Sequence, residues 1–230
     1  MPTEALWCVV PAAGSGTRFG GGVPKQYMPL RGQPLLMVTL ERLAACSVIG
    51  GFVVVLARDD AHWPGASEVG GKPVRVATGA GERSGSVLAG LRALPASVAS
   101  EAFVLVHDAA RPCVGAGDID RLVRLGIPAG GALLAAPLRD TLKRADPAAR
   151  VLGTEPRDSR WRALTPQLFR RGELESALAD AERAQLAITD ESMAMERAGH
   201  HPLLVEGAES NLKVTTRADL MLAEYLLGLS

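Results

Sequence analysis

The sequence predicts an α/β fold built on a mainly parallel sheet. Three observations carry that expectation. Short, continuous apolar runs at residues 5–10, 52–57, 103–106 and 131–137 have the character of strands covered on both faces. Segments with apolar residues at helical spacing stand between them, the strand–helix–strand rhythm of βαβ units. Glycine-rich turns follow the first and third strands, where each hands over to a helix. At 230 residues the chain has the length of one such domain with an ample core, and two full domains are not expected.

Composition narrows the function classes. Formal net charge is +0, which leaves no electrostatic footprint for nucleic acid. No apolar run approaches the ~20 residues of a membrane span, so no membrane partner is expected. Met1-Pro2-Thr3-Glu4 has no basic segment ahead of the first apolar run, unlike a signal peptide. Cys8, Cys46 and Cys113 are odd in number and lack metal-ligand spacing, so they read as reduced residues of a cytoplasmic protein.

Taken in order, the first strand (5–10) runs into Pro11-Ala12-Ala13-Gly14-Ser15-Gly16-Thr17-Arg18 and then Pro24-Lys25-Gln26-Tyr27. Gly14 and Gly16 lack a Cβ, so backbone N–H groups there can approach an anion closely. Arg18 and Lys25 add a planar fork and a point charge. Polyphosphate is the guest such a loop suits. A Walker loop is excluded, because Gly21 follows Gly20 and Gln26 follows Lys25. A dinucleotide fingerprint would need glycine where the chain has Phe19.

Residues 34–46 show helical spacing, with Gly50 and Gly51 as the expected stop before the strand 52–57. His62-Trp63-Pro64-Gly65 is a breaker, and 74–78 reads as a third strand. Residues 79–86 form a second glycine-rich turn opening onto a helix at 87–94, a second candidate anion contact or else a βα loop capped by Ser84 or Ser86. The fourth strand, 103–106, ends in His107-Asp108-Ala109-Ala110-Arg111-Pro112. Ligands of open α/β sheets bind outside the carboxyl ends of strands, so Asp108 should share a site with the first loop. A lone carboxylate there suits Mg²⁺, which takes one or two carboxylates along with phosphates and water. The plainer alternative is a helix cap or an ion-pair partner of Arg111. His107 reads as a packing residue.

A helix is expected within 114–125, then the strand 131–137. Residues 138–163 crowd charges with two prolines and cannot be core. Thr141-Leu142-Lys143 and Val151-Leu152-Gly153-Thr154 look like the two legs of a protruding hairpin. An isolated hairpin is marginal in water, and a second copy of the chain is the simplest partner; the bland alternative is a solvated loop. Beyond Thr165-Pro166-Gln167, helices are expected at 173–183, after the capping turn Thr189-Asp190, and at 216–227, with a last strand at 202–206.

Pro-Ala-Ala-Gly-x-Gly-x-Arg with Pro-Lys-Gln-Tyr, Gly81 to Leu91, His-Asp-Ala-Ala-Arg-Pro, Thr165-Pro166-Gln167, Thr189-Asp190 and Asn211-Leu212-Lys213-Val214-Thr215 together resemble the 2-C-methyl-D-erythritol 4-phosphate cytidylyltransferases of isoprenoid precursor synthesis. The resemblance covers nearly the whole chain in one order. It implies a Rossmann-like three-layer nucleotidyltransferase fold with a protruding β-arm, and transfer of a cytidylyl group from CTP to a phosphorylated polyol with Mg²⁺ as cofactor. By the same resemblance Arg18 and Lys25 stabilise the transition state and leaving group, and Ala12, Ala13, Gly14, Ser15, Gly16, Gly81 and Ser86 hold the nucleotide. Asp108, Arg111, Thr141, Thr165 and Thr189 would contact the acceptor, Asp108 would also serve Mg²⁺, and Lys213 and Arg157 would orient the nucleophile. Arg157 and Thr141 would act across a homodimer formed through the arm, although the stretch from Arg157 to Trp161 departs from a glycine-containing family pattern. A ribitol 5-phosphate cytidylyltransferase, a sugar 1-phosphate nucleotidyltransferase or a non-catalytic nucleotide-binding regulator on the same scaffold are the alternatives.

Overall fold

The computed structural model describes residues 5–14 and 22–229. Twelve strands and six helices follow in chain order among them. They are β1 (Leu6–Pro11), β2 (Pro29–Leu30), β3 (Gln33–Pro34), α1 (Leu35–Ala44), β4 (Ile49–Leu56), β5 (Glu68–Val69), β6 (Lys72–Thr78), α2 (Arg83–Arg92) and β7 (Phe103–Val106). Then come α3 (Ala116–Gly126), β8 (Ala132–Pro137), β9 (Leu142–Ala145), β10 (Val151–Glu155), β11 (Trp161–Arg170), α4 (Arg171–Arg183), α5 (Glu191–Arg197), β12 (Leu203–Glu206) and α6 (Arg217–Gly228).

Eight strands form one sheet in the order β12-β8-β11-β7-β1-β4-β6-β5. Parallel pairing joins β12 to β8, β7 to β1, β1 to β4 and β4 to β6, while β11 and β5 run against their neighbours. The sheet is therefore mixed and mainly parallel, as the apolar runs predict. Its central strands are buried on both faces because successive side chains alternate between two helical layers. Cys8, Val10, Phe52 and Val54 pack with Leu36 and Leu40 of α1 and Ile119 and Leu122 of α3. Val9, Val53, Val55 and Val104 pack with Leu88 and Leu91 of α2, Leu174 of α4 and Met195 of α5. A smaller cluster seats Ala223 and Leu227 of α6 against Leu35 and Val38 of α1, beside Ala110 and Val214.

Three expectations need correction. Gly50 and Gly51 do not stop a helix; they lie inside β4. A Cβ on Gly51 would sit 2.8 Å from the Trp7 ring, so glycine is there to admit the indole. Helix α2 begins at Arg83, a turn before the expected 87, because the polar residues of the glycine-rich turn are its first turn. Residues 161–170 form the strand β11, wedged antiparallel between β7 and β8. Its outer end, Trp161 to Ala163, is exposed and lies in the charge-rich segment, so no strand pattern announces it.

The hairpin β9–β10 is a separate two-stranded sheet, with legs at 142–145 and 151–155 close to the expected ones. Arg144 pairs with Glu155 at 2.9 Å, and Asp146 closes the turn by accepting from the backbone N–H of Ala148 and Arg150. At its base Leu138 N–H donates to the Arg160 carbonyl, and Glu209 pairs with Arg139 and Arg162.

Candidate active site

A cleft of about 320 Å³ opens at the carboxyl ends of β1, β6 and β7. Pro11, Ala12, Ala13 and Gly14 form one wall, Ala80, Gly81, Arg83 and Ser86 another, and Lys25, Gln26, Asp108, Ala109, Ala110, Lys213 and Thr215 the rest. This is where an open α/β sheet places its ligand.

The walls are held by backbone bonds that continue the sheet. Ala12 N–H donates to the Val55 carbonyl and Gly79 N–H to the Leu56 carbonyl, both at 2.7 Å. A Cβ on Gly79 would lie 2.5 Å from the Ala13 Cβ and 2.8 Å from Ser86 Oγ, so only glycine lets the two loops close up. The Ser86 hydroxyl is buried; it accepts from Ala80 N–H at 3.1 Å and lies 3.0 Å from the Glu82 carbonyl. Residues 25–27 make one 3₁₀ turn, whose last two members are anchors. Buried Gln26 donates to the Ala12 carbonyl at 2.7 Å, and the Tyr27 hydroxyl donates to Asp60 at 2.9 Å. Lys25 is thereby left facing the cleft, with Nζ 3.4 Å from the Val214 carbonyl.

Asp108, at the end of β7, is the hub of an ion cluster. Oδ1 accepts from Arg83 Nε at 3.0 Å, and Oδ2 lies 2.8 Å from Lys213 Nζ and 3.5 Å from Arg111 Nε. Burial alone would raise its pKa, but the surrounding charges of Arg83, Lys213 and Arg111 overcome that and hold the carboxyl far below the ordinary range. Arg83 spends its other edge on Glu191, with Nη1 at 2.6 Å and Nη2 at 3.1 Å. Arg111 is buried; its Nη1 donates to the Asn211 carbonyl at 2.7 Å, while Nε has no hydrogen bond.

Behind the cleft, Asp108 N–H donates to the Thr165 hydroxyl at 3.1 Å, and that hydroxyl lies 3.1 Å from His107 Nδ1. His107 Nε2 is 3.1 Å from the Arg111 carbonyl, which can only accept. The bonding is satisfied by the tautomer with its proton on Nε2 and with Thr165 donating to Nδ1. Burial pushes the imidazole down to about 4, against the partial pull of the Arg111 carbonyl and Asp108. A neutral imidazole in the fold and an ordinary one in the unfolded chain give stability that is full above pH ~6.5 and lost as pH falls toward ~4. That window should cost about 1.4 kcal/mol per pH unit, roughly 3 kcal/mol in all. Urea melts at pH 7, 6, 5 and 4 should show this slope in the native chain and its absence in His107→Gln; parallel slopes would mean that His107 titrates normally.

Asp108 was expected to serve magnesium, and the donor set fits a protein-held ion badly. Its carboxylate is already shared among three cations. A dication brought against it would have to displace Lys213 or Arg83 first. The ion pair with Arg111 is present and extends to Arg83 and Lys213.

Of the residues picked out in the sequence, Ala12, Ala13, Gly14, Lys25, Gly81, Ser86, Asp108 and Lys213 line the cleft. Ser15, Gly16 and Arg18 lie outside the described residues. Arg111 and Thr165 are buried just behind the lining. Thr141, Arg157 and Thr189 are exposed and not part of it: Arg157 bonds to the Arg139 carbonyl, Thr189 lies 3.4 Å from Met193 Sδ, and Asp190, not Thr189, caps α5. Sequence reasoning missed Arg83, Gln26 and Glu191. Arg83 had a signal: an arginine in the first turn of a helix opposes the macrodipole, so its partner must come from elsewhere.

A strand-end cleft faced by Lys25, Arg83 and Lys213 and walled by glycine-bearing loops suits an anionic, phosphate-bearing ligand, and the family match puts the chain among the nucleotidyltransferases. The family model described as IspD: 2-C-methyl-D-erythritol 4-phosphate cytidylyltransferase matches residues 6–229, and the chain belongs to that family. The 2-C-methyl-D-erythritol 4-phosphate cytidylyltransferase of Stenotrophomonas maltophilia (strain K279a) is 56% identical over 227 residues, 98% of each chain. Its counterpart in Xanthomonas campestris pv. campestris (strain 8004) is also 56% identical, over 98% of this chain and 86% of its own. Among solved structures, the Francisella tularensis 2-C-methyl-D-erythritol 4-phosphate cytidylyltransferase aligns with a TM-score of 0.82 at 30% identity, covering 97% of this chain and 100% of the other.

Proposed function

We propose that the chain transfers a cytidylyl group from CTP to 2-C-methyl-D-erythritol 4-phosphate, forming 4-diphosphocytidyl-2-C-methyl-D-erythritol and releasing pyrophosphate in non-mevalonate isoprenoid synthesis. The observation that carries this reading is the convergence of Lys25, Arg83 and Lys213 on one strand-end cleft in a chain that belongs to the family over its whole matched length.

A phosphate oxygen of the acceptor attacks the α-phosphorus of CTP as the bond to the β-phosphate bridging oxygen breaks. With a second pKa of ~6 the acceptor phosphate is largely dianionic at neutral pH, so no general base is required. The work left to the protein is to bring two polyanions together and to stabilise charge on the five-coordinate phosphorus and the departing pyrophosphate. Lys25 and Arg18 take that role, Lys213 and Arg111 orient the acceptor phosphate, and residues 12–16 with Gly81 and Ser86 hold the nucleotide. Thr165 supports Asp108 from behind, and Thr189 contacts the acceptor from the turn before α5. Magnesium enters as part of the substrate, on the triphosphate, with phosphate and water as its ligands.

The chain works as one nucleotidyltransferase domain whose segment 138–163 is a dimerisation arm, placing Arg157 and Thr141 in the neighbouring subunit's cleft. Val151 and Leu152 are 65% and 56% exposed on the isolated hairpin, apolar surface that a second copy would cover. The three buried free thiols favour a reducing, cytoplasmic compartment. Among the described residues no helix is long and apolar enough to cross a membrane.

The test is pyrophosphate release from purified protein with CTP and Mg²⁺, comparing 2-C-methyl-D-erythritol 4-phosphate with ribitol 5-phosphate. Turnover with the first alone is expected. Preference for ribitol 5-phosphate would move the chain to the sister activity, and silence with both despite CTP binding would make it a nucleotide-binding regulator.

A further inference from the structure

Glu191 is fully buried and lines no part of the cleft, yet both of its oxygens go to one cleft residue. Arg83 meets them with Nη1 at 2.6 Å and Nη2 at 3.1 Å, a bidentate pair that fixes the plane of the guanidinium. The remaining edge, Nε, is thereby aimed at Asp108 Oδ1 at 3.0 Å, and Asp108 keeps Oδ2 for Lys213 at 2.8 Å. Four separate pieces of chain meet in this line: the start of α5, the first turn of α2, the end of β7 and the segment carrying Lys213.

The backbone of Glu191 is set independently of Arg83. Gln167 accepts from Ser192 N–H at 2.7 Å and donates to Asp190 Oδ2 at 3.0 Å, and Asp190 caps Met193 N–H at 3.0 Å. The helix start would hold its place without the ion pair. What the pair adds is direction and charge. With Glu191 neutralising it, Arg83 gives Asp108 a single hydrogen bond; with Glu191 uncharged, Arg83 would turn its full fork to Asp108 and compete with Lys213.

We infer that Glu191 and Arg83 are positioning residues for the transfer reaction, a pair of one buried carboxylate and one cleft-wall guanidinium that sets the Asp108 carboxylate and, through it, the ammonium of Lys213. The inference rests on the function proposed above, which makes Lys213 the group that orients the acceptor phosphate.

Three variants separate this from a structural tie: Arg83→Gln, Glu191→Gln and the double Arg83→Gln/Glu191→Gln. Arg83→Gln leaves the fully buried Glu191 charge without its partner and should lower Tm by roughly 6–20 °C, whereas Glu191→Gln leaves Arg83 paired with Asp108 alone and should lower it less. The double strands no charge and should regain most of that loss. Its kcat should nonetheless stay about 10²-fold below native, because Asp108 and Lys213 have lost their setting. The accompanying KM change should fall on the acceptor and spare CTP. Turnover that returned together with stability would overturn the inference, and so would a loss confined to KM for CTP, which would make Arg83 a nucleotide contact. A crystal structure of Glu191→Gln gives a readout apart from activity. Arg83 is expected turned to both oxygens of Asp108 with Lys213 Nζ displaced from Oδ2, and an unchanged Lys213–Asp108 pair would overturn the inference. An inactive native enzyme in the same assay would count against the proposed activity and leave the crystallographic arm to decide on the pair.

Discussion

Lys25→Ala should fold as the native chain does and lose about 10²–10³ in kcat, roughly 2.7–4 kcal/mol of transition-state stabilisation. The local structure explains why the two effects separate. Residues 25–27 are one turn in which Gln26 is tied to the Ala12 carbonyl and Tyr27 to Asp60, so the anchoring survives truncation of the first side chain. On the proposed function the lysine's charge acts where negative charge grows on the α-phosphorus and leaving group. Steady-state kinetics beside a thermal melt checks both halves. Near-native turnover would remove Lys25 from the chemistry, and a melt lowered by many degrees would make it a structural residue.

Asp108→Asn should be the most destabilising change in the site, by about 3–5 kcal/mol, or roughly 6–20 °C in Tm. The substitution keeps the shape and removes the one charge that Arg83, Arg111 and Lys213 share. Arg111 has the least recourse, being buried with its Nε already short of a hydrogen bond. The sign of the pH dependence follows from the depressed carboxyl. Its contribution is fully present above the unfolded value of ~3.9 and is lost as pH falls further, through the folded value. The stability difference between native and variant should therefore be flat from neutral pH to about 4 and shrink below it. Denaturant melts across that range test the claim, and a difference that shrank between pH 7 and 5 would show that Asp108 titrates as an exposed carboxylate.

What the residues announce in advance, and what they do not, divides along physical lines. The buried parallel strands are legible because covering both faces forces an unbroken apolar run, as in Phe52-Val53-Val54-Val55. The loops at strand ends are legible because phosphate binding favours glycine and nearby cations, so Gly14, Gly81 and Lys25 could be picked out from the residues, while Lys213 was named only through the family resemblance. Strand β11 was hidden because half of it lies on the exposed approach to the hairpin and carries Trp161 and Arg162 where a pattern would need alternation. Glu191 was hidden for a different reason. Its burial depends on Arg83, 108 positions away, and a buried carboxylate looks like any other acidic helix start until its partner is located. The same holds for Thr165, whose hydroxyl faces inward to His107 and the Asp108 backbone.

The antiparallel strand β11 leaves the hairpin at Trp161 and carries Thr165 into the middle of the sheet within a few residues. Hairpin and cleft floor are thus stretches of one covalent thread joined by the turn at 156–160. For anyone redesigning the chain, the turn at 146–150 is the place where residues can be inserted or trimmed, since only local bonds to Asp146 close it. A cut or permuted terminus at 156–160 would instead unzip the strand that holds Asp108 from behind, and the enzyme would lose its site along with its appendage.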